Sequence, residues 1–322
     1  MNWNDVREAL GDSRRVLIVV HENPDGDAWG SAFGLALVLA GQGYEPQIIR
    51  HREPVELYQF LPGQEWIKLV PKGPEELPAG VPVIALDCGD RKRIEYAVSP
   101  ASKIINIDHH ASNTGFGDVN LVDADSAATA ELLYYILAEA GIPISPEAAT
   151  CFYVALATDT GNFTHSNLTA RALHAAGYLL EIGADLQLAR DKLLDNRPKK
   201  ELILIQEAMK NLRFSEGGEI AWSFLEYSAM EREDLITTET DNLLNIMRQV
   251  SGVELVILFR EQEPDQVKVS FRTKAYINAN LLAQKFSGGG HVRAAGASVQ
   301  KPLTEVVSLV MGEAERSVKG RR

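Results

Sequence analysis

Three apolar runs in the sequence each end on side chains able to hold a cation. The run 16–20 ends at His21, the run 83–86 at Asp87, and the run 104–107 at Asp108-His109-His110. The first run leads into Asn23-Pro24-Asp25-Gly26-Asp27, where Pro24 and Gly26 force a turn, so His21, Asp25 and Asp27 can converge. In a fourth element, Ala157-Thr158-Asp159-Thr160-Gly161, an apolar helical stretch stops on an acid and a breaking glycine. Imidazole and carboxylate without thiolate suit Mn²⁺, Mg²⁺, Fe²⁺ or Zn²⁺ better than a soft metal. Two divalent ions ~3.5–4 Å apart clamp the attacking and the leaving oxygen of a phosphoryl displacement and lower the pKa of a shared water. Such a pair needs a bridging carboxylate, and Asp87, central among the runs, is the natural one. Taken singly, an Asp after a strand is more often a turn or cap residue, and a His pair is often simply hydrogen-bonded. Six candidate ligands at three strand ends and one helix end make the metal reading the stronger one.

Elements that could deliver these groups follow from the pattern. Short β-branched runs are buried strands of a parallel sheet, and in open α/β sheets ligands bind beyond the carboxyl ends of strands. The run 47–50 is a further strand; helices are expected over 28–40, 127–140 and 146–158, and a proline-rich connection over 71–82. The expected fold is therefore α/β: a mostly parallel sheet with helices on both faces, over residues 1–185. A charged helical connector follows over 186–212. Beyond Gly217-Gly218 the texture changes to strands at 219–225, 254–260 and 266–273 and helices at 235–250, 278–286 and 303–317, a smaller α/β domain over 213–322.

The bulk numbers set limits. The chain has 322 residues, enough for two domains, and its apolar and charged fractions of 45% and 24% are those of a soluble globular protein. No apolar stretch is long enough for a membrane span, and residues 1–10 lack the apolar core of a signal peptide. Two cysteines, Cys88 and Cys151, are no disulfide scaffold, which makes a reducing cytoplasm the expected location. A net charge of −12 argues against binding along a nucleic-acid duplex, though not against small phosphorylated ligands.

Within this acidic chain, residues 266–304 contain no Asp or Glu but hold Lys268, Arg272, Lys274, Lys285, Arg293 and Lys301. At the chain's average acidity such a window would carry about five acids, so a surface for anions is indicated. At its centre stand Gly288, Gly289, Gly290, His291 and Arg293. Glycines let backbone approach a ligand, successive N–H groups can form an anion-binding nest, and Arg272 can grip a phosphate with two parallel hydrogen bonds. A lone triple glycine would be only a flexible loop; the missing acids and the adjoining His and Arg raise the binding reading above that.

The four segments 21–27, 87–90, 108–110 and 158–161 resemble, in order, spacing and content, the motifs of the DHH phosphoesterase superfamily. The stretch Gly288-Gly289-Gly290-His291, preceded by Ser270-Phe271-Arg272, is similar to the DHHA1 domain that follows it in many members. The length and two-domain layout look like the group of small oligoribonucleases (nanoRNases) and phosphoadenosine-phosphate (PAP) phosphatases. One departure is Val292-Arg293-Ala294-Ala295-Gly296, where many relatives carry a small polar residue, often Asn, near 293 or 294. The resemblance implies two divalent ions, usually Mn²⁺. His21, Asp25, Asp87 and Asp159 would surround one, and Asp27, Asp87, His109 and Asp159 the other. It implies that His110 faces the substrate phosphate while Asp108 orients the histidines, with Asp90 near by. Arg272, Gly288 to Gly290, His291 and Arg293 would hold the substrate. It further implies exo-type hydrolysis of very short RNA, or removal of a phosphate from a 3′,5′-bisphosphate nucleotide, in a cleft between domains. Alternatives are a phosphodiesterase of cyclic or linear dinucleotides and an inorganic pyrophosphatase, although the latter's basic Ser-Arg-Lys-Lys run is absent. A non-catalytic nucleotide sensor would have lost ligand residues, and here every position is filled. The oligomeric state is left open, a homodimer being one option.

Overall fold

The computed structural model describes residues 2–71, 77–238 and 240–319. The chain divides into two compact units, Met1–Asn196 and Arg197–Arg322. Among the described residues of the first unit, six strands form one parallel sheet: β1 (Arg15–Val20), β2 (Glu45–Arg50), β3 (Ile67–Leu69), β4 (Val83–Leu86), β5 (Ile104–Asp108) and β6 (Val119–Val122). Their order is β3-β2-β1-β4-β5-β6. Helices α1 (Trp3–Leu10), α2 (Gly26–Gly41), α3 (Thr129–Glu139), α4 (Pro146–Asp159), α5 (Ala170–Glu181) and α6 (Leu186–Leu193) complete the unit.

The β1 side chains alternate between two cores. Val16, Ile18 and Val20 join α1 to α5 and Ala189 of α6 on one face, while Leu17 and Val19 meet Leu77, Val81, Ile94, Tyr96 and Val98 on the other. The expected parallel α/β layer is thus present. Among the described residues its helices share one face, and the other is covered by irregular connections in which Arg91–Arg93 forms a short 3₁₀ turn. Part of the expected proline-rich connection, residues 72–76, lies outside the described residues.

Strand order reverses direction between β1 and β4, which pair in parallel with Val20 opposite Leu86; Leu86 in turn lies opposite Ile107 of β5. The carboxyl ends of three neighbouring strands therefore emerge side by side at a topological switch point, where doubly wound sheets bind ligands.

Helix α2 crosses α4 at close range because Gly26, Gly30 and Gly34 recur every fourth residue on the crossing face. A Cβ on Gly30 would stand 2.4 Å from the Cys151 carbonyl oxygen, and one on Gly26 would stand 2.3 Å from Thr158 Oγ1. This approach carries the start of α2, with Asp25 and Asp27, to the end of α4, with Asp159.

In the second unit α7 (Lys199–Lys210) precedes β7 (Arg213–Phe214), β8 (Ile220–Leu225), α8 (Tyr227–Arg232), α9 (Asp241–Arg248), β9 (Leu255–Glu263) and β10 (Gln266–Thr273). Then come α10 (Ala279–Gln284), β11 (Gly289–Gly290), β12 (Ala294–Gln300) and α11 (Leu303–Lys319). The sheet order is β11-β12-β10-β9-β8-β7, antiparallel except for β8 with β9. Helices α10 and α11 pack on one face, and α7, α8 and α9 on the other. Of the segment read as a connector, α6 contributes Ala189 to the first unit's core, whereas α7 contributes Leu204 and Ala208 to the second's. The helix expected over 235–250 is present as α9; position 239 of that span lies outside the described residues. No described helix is long and apolar enough to cross a membrane.

Candidate active site

At the switch point ligand-type side chains form two trios with no member in common, and a third trio, Asp87, His109 and His110, overlaps both. His21, Asp25 and Asp87 bring ligand atoms within 4.8 Å of one another, and so do Asp27, His109 and Asp159. Asp87, a member of the first trio, also reaches the second. Its Oδ2 lies 3.5 Å from His21 Nε2, and its Oδ1 lies 3.6 Å from His109 Nε2 and 3.5 Å from His110 Nδ1. His109 Nε2 also lies 3.8 Å from Asp27 Oδ2 and 3.5 Å from Asp159 Oδ2. Every predicted ligand is brought together, with Asp159 grouped on the His109 side. Asp90 stands apart from both trios; its Oδ1 accepts from the Lys92 N–H at 2.8 Å and caps the 3₁₀ turn.

Local structure explains each placement. Asp25 is the N-cap of α2 and accepts from the Ala28 N–H at 3.1 Å, so the cap role and the site role coexist. Asp27, one residue into that helix, accepts from the N–H of Thr129 at 2.7 Å and of Ala130 at 3.2 Å, where α3 begins, and from Ser31 Oγ at 3.1 Å. Thr129 Oγ1 donates to Asp87 Oδ1 at 3.2 Å. His109 Nδ1 donates to the Ser126 carbonyl at 3.2 Å, which turns Nε2 toward the acids. His110 Nδ1 donates to Asp108 Oδ1 at 2.7 Å, while Asn113 donates to the other Asp108 oxygen. On the opposite flank the buried Arg50 donates to the carbonyls of His21 and Glu22, each at 3.1 Å, and pairs with Glu95 at 3.1 Å.

Thr129, Ser126, Asn113 and Arg50 were not singled out from the sequence. Three of them act through backbone groups of distant segments, and no spacing rule reports that. A buried arginine at a strand's carboxyl end was the one signal available.

The electrostatics are those of an acid cluster that wants cations. Burial lifts the Asp27 carboxyl well above the ordinary range, with Asp87, Asp159 and Asp25 adding to it. Burial, together with Asp25 and Asp87, pushes Asp159 up to about 6 against the opposing pull of His109. Asp87 is more deeply buried than Asp159, but hydrogen bonding to His21 and the neighbouring His109 and His110 outweigh that and hold it low. Asp108 raises the pKa of His110, and is itself held below the ordinary range by His110 and Asn113 despite burial. The donor set of imidazoles and carboxylates with oriented second partners fits two hard divalent cations.

In the second unit the glycine stretch takes a different form from the expected anion nest. Gly289 and Gly290 extend as β11, opposite Gly296 and Ala295 at the sheet edge. A Cβ on Gly288 would stand 2.2 Å from the Gly296 carbonyl oxygen, and one on Gly290 would stand 2.6 Å from that of Ala294, so close strand packing demands glycine there. Gly289 has nothing nearer than 3.9 Å on its Cβ side and is the open position. A tight turn follows, with the His291 N–H donating to the Ala294 carbonyl at 2.7 Å. Arg293 Nη1 donates to the Ile277 carbonyl at 3.2 Å, and Arg272 Nη1 to the Phe271 carbonyl at 3.1 Å. Acids from α11 partly neutralise the basic window: Lys285 pairs with Glu313 at 2.8 Å, and Lys301 pairs with Glu305.

Residues 15–156 match the N-terminal domain of the DHH family, and residues 221–317 match the DHHA1 domain. The bifunctional oligoribonuclease and PAP phosphatase NrnA of Thermus thermophilus is 34% identical over 285 residues, covering 88% of this chain and 84% of its own. The Bacillus subtilis protein of the same name is 28% identical over 291 residues, covering 88% and 89%. In fold, the chain is similar to the crystal structure of an exopolyphosphatase-related protein from Bacteroides fragilis, with a TM-score of 0.83 at 23% identity over 99% of this chain and 97% of that one.

Proposed function

Because the chain belongs to the DHH family of phosphoesterases that carry a DHHA1 domain, we propose that it hydrolyses very short RNA oligonucleotides from one end, releasing mononucleotides. We propose the 3′-phosphate of adenosine 3′,5′-bisphosphate as a second substrate, the pairing of activities in the names of its relatives. The observation that carries this reading is Asp87, a member of one ligand trio, reaching the other at a sheet's switch point.

His21, Asp25 and Asp87 would hold one cation, and Asp27, Asp87, His109 and Asp159 the other, with Mn²⁺ as the proposed ion. When bound, the pair supplies an activated water and stabilises charge on the attacking and leaving oxygens. The chain's own residues do the rest. Asp108, accepting from His110 Nδ1, favours the protonated imidazole and leaves its Nε2 to donate a hydrogen bond to a phosphate oxygen. Arg272, His291 and Arg293 bind the nucleotide, and Gly289, uncrowded on its Cβ side, leaves room for it. The cytoplasm is the proposed location, consistent with two buried free thiols.

Turnover of a labelled series from dinucleotide to five-mer, and of adenosine 3′,5′-bisphosphate, is expected with Mn²⁺ and abolished by chelation. Failure on every one of these with Mn²⁺ present sinks the proposal, and faster turnover of pyrophosphate redirects it.

A further inference from the structure

Each trio rests on a support built around an arginine, and the two supports meet at Asp87, to which Thr129 Oγ1 donates at 3.2 Å. On the His21 side Arg50 fixes the loop through the carbonyls of His21 and Glu22. On the His109 side the support is the segment 126–130, which offers the Ser126 carbonyl to His109 and the N–H groups of Thr129 and Ala130 to Asp27. Asn167 ties the same segment to the end of α4, donating to the carbonyls of Ala127 at 3.1 Å and Asp159 at 3.2 Å.

Arg171, in the first turn of α5, holds this segment. Its Nη1 meets Asp123 Oδ2 at 2.6 Å and Ser126 Oγ at 3.3 Å, its Nε lies 3.5 Å from Glu131 Oε1, and its guanidinium stands 4.3 Å from the Tyr135 ring centroid. The Glu131 side chain is fully buried, and its Oε2 accepts from the Ala127 N–H at 2.7 Å. Burial lifts its carboxyl while the Ala127 N–H and Arg171 oppose that rise. Without Arg171, a buried carboxylate loses its cation, and Ser126 and Asp123 lose their common partner. The segment keeps its ties to Asn167 and Asp27 and the Ser126–Asp123 hydrogen bond but loses the group that joins Asp123, Ser126 and Glu131, and a shift of even 1 Å would break the 3.2 Å bond that aims His109.

We propose that Arg171 is a positioning residue for the cation of Asp27, His109 and Asp159, acting through Asp123, Ser126 and Glu131 and sparing the cation of His21 and Asp25. This rests on the reading of the site as a two-cation centre.

The test is Mn²⁺ titration of the full chain, followed by isothermal calorimetry and by the electron paramagnetic resonance signal of free Mn²⁺. Wild type is expected to bind two ions. Arg171→Met should weaken one binding event roughly tenfold to a hundredfold and leave the other within about twofold, the usual effect of losing an outer partner of a ligand. The weakened event should be the one lost in Asp27→Asn and kept in His21→Ala. Glu131→Gln, whose amide oxygen can still accept from Ala127 but whose NH2 then faces the Arg171 Nε–H, should weaken the same event, though less than Arg171→Met; a Glu131→Gln variant that weakens the other event instead would contradict the proposal. Arg171→Lys, which keeps charge and stem but not the fork, gives the same readout should the methionine variant fail to fold. If both events weaken alike, or neither changes, Arg171 has no such role while the centre stands. If wild type binds fewer than two ions, the centre itself is misread and this proposal falls with it.

Discussion

Asp87 adopts a backbone φ of 54°, in the left-handed region that aspartate and asparagine tolerate and most residues avoid. Its N–H is held by the Ile107 carbonyl at 3.1 Å, so sheet pairing enforces a conformation that aims both carboxylate oxygens into the site. Asp87→Asn keeps the backbone preference and the shape but removes the charge shared between the trios. We expect Mn²⁺ affinity to fall by about a hundredfold or more and turnover to reach background, with the melting temperature little changed. Asp87→Ala should lose, in addition, about 1 kcal/mol through backbone strain; calorimetric Mn²⁺ titration and thermal unfolding of both variants check this. Asp159 sets a pH dependence. Its carboxyl, lifted to about 6, keeps its proton in the fold at pH values where the unfolded chain has lost it. Its contribution to stability is therefore present below the unfolded value of about 4 and lost as pH rises through about 6, while cation binding needs the ionised form and gains over the same window. Relative to Asp159→Asn, metal-free protein should lose melting temperature between about pH 4 and 6, and Mn²⁺ affinity should rise there; flat profiles for both would contradict the assignment. Candidate ligands were legible because strand-end chemistry concentrates on a few side chains. The groups that aim them, such as the Ser126 carbonyl and the Thr129 N–H, belong to backbone that every residue possesses, so composition and spacing carry no trace of them.

At the scale of elements, the close crossing of α2 and α4 sets the distance between Asp27 and Asp159. A methyl group on Gly30 would meet the Cys151 carbonyl at 2.4 Å and the Ala155 Cβ at 2.7 Å, and backbone cannot yield as a flexible side chain would. Gly30→Ala should therefore cost about 1–3 kcal/mol by overpacking, despite alanine's better helix propensity, and should weaken Mn²⁺ binding as the helices part. Gly177, mid-helix in α5 with nothing within 4 Å of its Cβ position, is the control: Gly177→Ala should stabilise by about 0.5–1 kcal/mol. Denaturant unfolding of both variants decides the matter. The buried strands β1, β4 and β5 and the helices α2 and α4 were readable because burial on two faces leaves unbroken apolar runs. Three-residue β3 and two-residue β11 were not, since elements so short take their conformation from the neighbour they pair with, and β6, as long as β4 but only partly buried, lacks an unbroken apolar run. The order of the strands is likewise something that periodicity within a strand does not report.

For the whole molecule, the two units carry separate cores and different kinds of charge: clustered acids at the switch point of one, arginines near a glycine-built sheet edge in the other. Chemistry and grip should accordingly be separable. Arg293 is anchored to the Ile277 carbonyl, and the N–H groups of Ala275, Tyr276 and Ile277 all donate to the buried Glu254, so the proposed grip is held by the fold of its own unit. Arg272→Ala and Arg293→Ala should each raise KM for a dinucleotide by roughly tenfold, the loss of about 1.4 kcal/mol from one charge-assisted hydrogen bond. Turnover of bis(p-nitrophenyl) phosphate, which offers one phosphodiester and no terminal phosphate, should stay near wild type because it engages the metal centre alone. Added salt should raise the dinucleotide KM of wild type more steeply than that of either variant, since screening removes an attraction the variants have already lost. Equal losses on both substrates would mean that the arginines support the fold or the chemistry and not the grip, and the division of labour between the units would have to be abandoned.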